Sequence, residues 1–213
     1  GNQDQYRFYL GQIAEERKQD DDALRWYRAV GSGESHAQAQ MRIAQILLRA
    51  GQLEQALEQL RGWRERDTEA RIPSLIGEAQ ILRDAGRAVA AFDLLQGGLK
   101  DSPDQPDLLY EAALLAERLA RYDDMEANLV RLIAVKPDHA HAYNALGYSF
   151  AERNIRLAES ERLLGRALEL APNAPFIIDS MGWLLFRKGD LAGAAEQLRR
   201  ALMLRPDPEI SAH

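Results

Sequence analysis

The chain has 213 residues, 46% hydrophobic and 28% charged, with a formal net charge of −6 at pH 7. The acidic balance argues against a nucleic-acid partner, because phosphate binding needs clustered Lys and Arg. No cysteine is present, which excludes a disulfide framework and a cysteine-based metal site and fits either a reducing or an oxidising compartment.

No apolar run approaches the roughly 20 residues that span a bilayer. The chain opens with GNQDQYRFYL, already inside a helical pattern and with no signal peptide. Both ends read as cuts in a longer repeat array.

In chain order, small and large residues recur in six segments that start near Asp4, Ala37, Ile72, Pro106, Ala140 and Pro175. Their ranges are 4–36, 37–71, 72–105, 106–139, 140–174 and 175–208, with the start of a seventh at 209–213. The first carries Leu10-Gly11, Ala23 and Tyr27, with Asp20, Asp21 and Asp22 between its two helices. Three aspartates lack the alternating ligands and glycine of a calcium loop, so helix N-capping and solvation are expected of them. The second has Ile43-Ala44, Gly51, Ala56, Leu60 and Trp63; its Arg61, Arg64 and Arg66 stand among acidic neighbours and read as a solvated face. The third has Ala79, Leu82, Gly86, Ala91, Gly98 and Pro103. These two depart most from the common pattern and are expected to pack more loosely or to bend.

The fourth segment shows Ala112-Ala113, Tyr122, Met125 in place of a small residue, Leu129 and Pro137. In the fifth, Tyr143 to Tyr148 precede Ala167 and Pro172, and one extra residue enters the turn around Asn154-Ile155-Arg156. The sixth spells two amphipathic helices, Phe176–Lys188 and Leu191–Leu204, parted by Gly189-Asp190 and stopped by Pro206. Gly182 in its first helix is expected against Ala194 in its second, and Gly147 is expected to have the same role in the preceding repeat. Glycine costs a helix roughly 0.5–1 kcal/mol relative to alanine, so close packing explains it better than propensity does.

A hydrophobic-Gly pair (Met181-Gly182), a mid-repeat Gly189, Ala194, Ala201 and a closing Pro206 at a period near 34 resemble the tetratricopeptide repeat, or TPR. The resemblance implies an all-α, right-handed α-solenoid of about six helix-turn-helix pairs in one continuous array, since each pair is too small to bury its own apolar face. Apolar residues at i, i+3, i+4 and i+7 agree with helices throughout.

No catalytic constellation is found. The four histidines form no HExxH pattern, and His139 and His141, two apart at a helix start, are expected on different sides. No glycine-rich loop follows a strand, so neither a nucleotide nor any other cofactor is expected. The expected activity is protein or peptide binding without catalysis. In TPR arrays the first helix of each pair lines the concave surface, and positions 2, 5, 9 and 12 share one face. The fourth repeat places Asp107, Tyr110, Leu114 and Glu117 there, the fifth His141, Asn144, Tyr148 and Ala151, the sixth Phe176, Asp179, Trp183 and Phe186, with Arg187 at the border. The candidate binding residues are therefore Tyr110, Asn144, Tyr148, Asp179, Trp183, Phe186 and Arg187. Gln5, Gln12, Gln38, Gln45 and Gln80 give the first three repeats a more polar face. No lysine stands at these positions, which argues against a clamp for C-terminal carboxylates.

From Tyr143 onward the phrases NALGY, NIRLAE, DSMGW and PDPEI resemble the C-terminal repeats of a proteobacterial family of TPR outer-membrane lipoproteins. That resemblance implies an adaptor of a periplasmic carboxyl-terminal processing protease that degrades peptidoglycan hydrolases. It also implies a lipid anchor upstream of Gly1 on the periplasmic side of the outer membrane. A generic cytoplasmic TPR scaffold and a regulatory TPR segment of a larger enzyme stay open beside it.

Overall fold

The computed structural model describes residues 2–204. Among them are twelve α-helices, one 3-10 turn and no strand, so the all-helical fold expected from the periodicity is the one observed. The helices are α1 (Asn2–Glu16), α2 (Asp20–Arg28), α3 (Glu34–Arg49), α4 (Leu53–Arg66), α5 (Arg71–Asp84) and α6 (Ala88–Asp101). They continue as α7 (Pro106–Arg118), α8 (Tyr122–Val135), α9 (Ala140–Glu152), α10 (Leu157–Leu170), α11 (Pro175–Arg187) and α12 (Leu191–Leu204). Pro206, the PDPEI phrase and the expected seventh repeat at 209–213 lie outside the described residues.

The chain forms two compact bodies that divide between Pro103 and Asp104. In the N-terminal body α1 packs on α2 and α3, α3 on α4 and α5, and α5 on α6. In the C-terminal body α7 packs on α8, α9 on α10 and α11, and α11 on α12. Each body thus holds three helix pairs whose apolar stripes cover one another.

One turn recurs in every pair. Lys18, Gly51, Gly86, Ala120, Asn154 and Gly189 all have positive φ, from 54° to 86°. Each stands just past the first helix of its pair. The following amide reaches back to close the helix, as in Gln52 N to Leu47 O at 2.9 Å and Asp190 N to Leu185 O at 2.9 Å. This left-handed closure satisfies carbonyls that the helix end would otherwise leave open. In five pairs the second helix begins two residues later; in the fifth, Ile155 and Arg156 intervene before Leu157, and Arg156 is itself left-handed at φ 45°. The extra residue read from the sequence is therefore accommodated in the turn, where Arg156 grips Glu126 and covers the Phe150 ring at 3.8 Å.

Several packing expectations need correction. Gly182 does not face Ala194; a methyl group there would meet Leu198 Cγ at 3.1 Å and Gln197 Cβ at 3.4 Å. The reason is that the second helix presents its larger side chain opposite the glycine. Asp20, Asp21 and Asp22 do not lie between helices or cap one. They form the first turn of α2, Gln19 holds the cap position without a side-chain hydrogen bond, and Asp20 pairs with Arg49 at 3.2 Å. Carboxylates there complement the helix dipole. Arg61 and Arg64 are not merely solvated: both bind Glu78, which is 1% exposed, Arg61 Nε donating at 3.0 Å. The irregularity of the second and third repeats is taken up by a 3-10 turn at Thr68–Ala70, opened by Asp67 accepting from Glu69 N at 2.9 Å.

Candidate partner-binding site

In the C-terminal body, Tyr148 and Glu152 of α9, Asp179, Gly182, Trp183 and Phe186 of α11, and Leu198 of α12 enclose a cleft of about 210 Å³. Its construction follows from helical spacing. Asp179, Trp183 and Phe186 stand at i, i+4 and i+7, and Tyr148 and Glu152 at i and i+4 on the neighbouring helix. The missing side chain at Gly182 leaves room in the wall, and Leu198 closes it from behind.

The rings of Trp183 and Phe186 stack with centroids 5.3 Å apart and planes inclined by 25°. Phe186 is 49% exposed. Trp183 serves both packing and the cleft: it is half-buried against the core group Ala151, Leu164 and Leu184 while the rest of it lines the opening. Its Nε1 is buried with no hydrogen-bond partner. Leu184 is the fully buried leucine of α11, and Leu185 is only partly buried.

Four of the seven residues singled out from the sequence, Tyr148, Asp179, Trp183 and Phe186, therefore line one cleft. The other three do not. Arg187 donates from Nε to Ala151 O at 3.1 Å and from Nη2 to Glu152 O at 2.9 Å, with its guanidinium 5.7 Å from the Trp183 ring. It ties α11 to the last carbonyls of α9 and so positions the cleft. Asn144, one turn before Tyr148, is outside the lining, and its Oδ1 is buried without a partner. Tyr110 belongs to a second aromatic row, with His139 at 5.3 Å and His141 at 6.3 Å; His141 in turn stacks on Phe176 at 4.8 Å and 12°.

That row corrects the expectation for the two histidines. His139 is the cap residue of α9 and accepts from Ala142 N through Nδ1 at 3.1 Å, so it is turned back toward His141 and the rings lie 6.1 Å apart. Helical spacing does not apply to a residue outside the helix. Sequence reasoning misses Glu152 and Leu198 as lining residues, although the i+4 relation of Glu152 to Tyr148 marks the first of them.

Negative charge gathers at the cleft. Burial pushes the Tyr148 phenol above its usual range, and the carboxylates of Glu152, Asp179 and Glu117 push in the same direction. The Glu117 carboxyl is also raised, by burial first and by Glu152, against the pull of Arg153. Among the described residues, Arg153 lies 4.3 Å over the Tyr122 ring, and Lys188 pairs with Glu161 at 2.6 Å. In the N-terminal body, Phe8, Gln12, Gln38, Met41, Arg42 and Gln45 line an open pocket of about 330 Å³. Three of the five glutamines expected on a polar face are in it.

Residues 28–71 match the family model described as Tetratricopeptide repeat. Solved TPR structures share the architecture. YrrB, a TPR protein with an unusual peptide-binding site, superposes with a TM-score of 0.60 at 19% identity, covering 96% of each chain. A tetratricopeptide repeat protein from Parabacteroides merdae superposes with a TM-score of 0.65 at 18% identity, over 100% of this chain and 87% of that one. The fold is that of tetratricopeptide repeats. In sequence, a TPR repeat-containing protein of Pseudomonas aeruginosa is 40% identical over 210 residues, which is 99% of this chain. The chain spans 36% of the length of that relative. The TPR geometry accounts for the cleft directly, since α9 and α11 are the first helices of adjacent repeats and lie side by side.

Proposed function

We propose that this chain is a non-enzymatic TPR scaffold that binds a segment of a partner protein in the cleft formed by Tyr148, Asp179, Trp183 and Phe186. The observation that carries the reading is the half-exposed Trp183–Phe186 stack at the mouth of a cleft with polar groups on its rim. Aromatic side chains offer large contact area for few rotatable bonds, and such groups dominate binding energy at protein interfaces. The finer reading is an adaptor that brings a periplasmic carboxyl-terminal processing protease to peptidoglycan hydrolases, held by a lipid anchor upstream of Gly1 at the outer membrane. It is supported by the NALGY, NIRLAE and DSMGW phrases and by the 40% identity to the Pseudomonas aeruginosa TPR protein.

Purified chain, the processing protease of the same organism and a peptidoglycan hydrolase should be mixed and hydrolase cleavage followed with time. The expected result is faster cleavage in the presence of the chain and a loss of that acceleration with Trp183→Ala. An unchanged cleavage rate, with no association between chain and protease in gel filtration, would refute the adaptor reading.

A further inference from the structure

One face of α1 carries Tyr6, Tyr9, Leu10 and Ile13 at i, i+3, i+4 and i+7, and they are 67%, 50%, 40% and 45% exposed. The repeat gives these residues counterparts. Counted from Asp4, Ala37, Ile72 and Ala140, Tyr6, Leu10 and Ile13 are the third, seventh and tenth residues of their repeat. The eighth residue fixes that count, since a methyl group on Gly11 or on Gly147 would meet the second helix of its own pair, at Tyr27 and at Leu164. In α3 the same three positions hold Ala39, Ile43 and Ile46, in α5 Ser74, Glu78 and Ile81, and in α9 Ala142, Leu146 and Ser149. All of these are buried.

The preceding helix pair covers those positions: α3 packs on α2, α5 on α4 and α9 on α8. The contact is plainest at α5. Ser74 Oγ donates to Leu60 O at 2.8 Å, and Arg61 and Arg64 reach Glu78. A methyl group on Gly77, the sixth residue of its repeat as Tyr9 is of the first, would meet Leu60 of α4 at 3.3 Å and Met41 of α3 at 3.2 Å.

We propose that the stripe Tyr6, Tyr9, Leu10 and Ile13 is the docking face for one further TPR helix pair, supplied by sequence preceding Gly1, whose second helix lies along Tyr6, Leu10 and Ile13. The chemistry of the stripe supports this occupant. The outermost face of a repeat array needs polar residues to stay soluble, and this one is apolar. Leu10 stands where α5 has Glu78, so the covering helix carries apolar residues at the positions that Arg61 and Arg64 hold in α4. Sequence able to supply such a pair is present in the Pseudomonas aeruginosa relative, of which this chain spans 36%.

The chain has no cysteine, so single thiols introduced by Tyr6→Cys, Ile13→Cys and Glu16→Cys report access to α1 directly. Glu16 is the control, because its counterparts Arg49 and Asp84 stay exposed in covered repeats. Each change is made in this chain and in the full-length protein, with any upstream cysteine replaced by serine, and the rate of reaction with a thiol reagent is followed. In the full-length protein the thiols at positions 6 and 13 are expected to react about tenfold more slowly or less, since a covered group reacts only through local opening, while position 16 reacts equally in both. Leu10→Asp should leave the melting temperature of this chain nearly unchanged and lower that of the full-length protein by about 2–4 °C or more. Equal labelling at positions 6 and 13 in the two proteins would overturn the proposal, as would a full-length sequence with no helix pair of the repeat's period before Gly1. Labelling that slows in this chain alone as its concentration rises, with a dimer in gel filtration, would overturn it in favour of a second copy on the same face.

Discussion

A methyl group on Gly147 would stand 2.8 Å from Leu164 Cγ, closer than carbon atoms normally approach. The corresponding point on Gly182 is 3.1 Å from Leu198 Cγ, so the same helix–helix approach recurs one repeat later with a little more room. Gly147→Ala is expected to destabilise by about 1–3 kcal/mol, the range for overpacking a close contact. Gly182→Ala should stay within about 1 kcal/mol of the parent, because the helix propensity of alanine offsets the milder crowding. Urea denaturation of both variants checks the order. Adding Leu164→Ala to Gly147→Ala should cost less than the sum of the two single changes, since the residues share one space.

Leu184 and Trp183 are neighbours in sequence with different roles. Leu184 is fully buried, so Leu184→Ala should lose about 2–5 kcal/mol. Trp183→Ala should lose less stability, while costing about 2 kcal/mol or more of partner affinity. Thermal melts and binding measured on the same two preparations decide it. A Trp183→Ala protein less stable than Leu184→Ala would place Trp183 in the core and not in the site.

Glu78 joins two arginines from inside the N-terminal body, and its two sides are unequal. Arg61 and Arg64 side chains retain 46% and 26% exposure, whereas Glu78 has 1%. Removing both arginines strands a buried carboxylate and is expected to cost about 3–5 kcal/mol at neutral pH. Glu78→Gln leaves the arginines able to reach water and should cost clearly less. Chemical denaturation of Arg61→Ala/Arg64→Ala beside Glu78→Gln tests the asymmetry.

Acid should loosen the N-terminal body through Glu15. Burial by itself would raise this carboxyl, but hydrogen bonds from Arg49 at 2.8 Å and Tyr27 at 2.9 Å hold it below the ordinary value of 4.5. A carboxylate with a depressed folded value stabilises above its unfolded value and loses that contribution as the pH falls through the folded one. Wild type should therefore lose stability below about pH 4.5, and Glu15→Gln should be less stable at neutral pH with a flatter acid limb. Melting temperatures from pH 7 down to pH 3 provide the comparison.

Turn residues supply another handle. Ala120 holds a left-handed φ of 55° that glycine adopts without strain. Ala120→Gly is expected to stabilise by up to about 1 kcal/mol, and Gly86→Ala, at φ 76°, to destabilise by a similar amount. Denaturation midpoints of the two variants should move in opposite directions.

The helix pairs are legible in the sequence because period and turn signals repeat. The second helix of the last pair reads as Leu191–Leu204, which is where α12 lies, and the first is displaced by a single residue at each end. The left-handed turn is legible at Gly51, Gly86 and Gly189, and at Asn154, a residue type enriched in that region; Lys18 and Ala120 adopt it because the repeat imposes it, and nothing in their side chains announces it. The cleft is legible as far as face arithmetic reaches, which brings Tyr148, Asp179, Trp183 and Phe186 onto adjoining stripes. Arg187 and His139 escape that arithmetic because backbone partners claim them: the carbonyls of Ala151 and Glu152 for the first, the amide of Ala142 for the second. A pattern of side chains does not reveal which main-chain groups need satisfying. The glycine partners are hidden for a related reason, since similar small-residue spacing accommodates either an alanine or a leucine opposite Gly182.

Arg187 reaches main-chain oxygens, and this separates adhesion from discrimination in the C-terminal body. An oxygen of the backbone is present whatever residue carries it, so the clasp between α11 and α9 is indifferent to the side chain at position 152. Glu152 is exposed and lines the opening, and it is free to be replaced without unfastening the two repeats. Drift or design at that one position can therefore alter what the opening presents to a partner while the architecture beneath it persists.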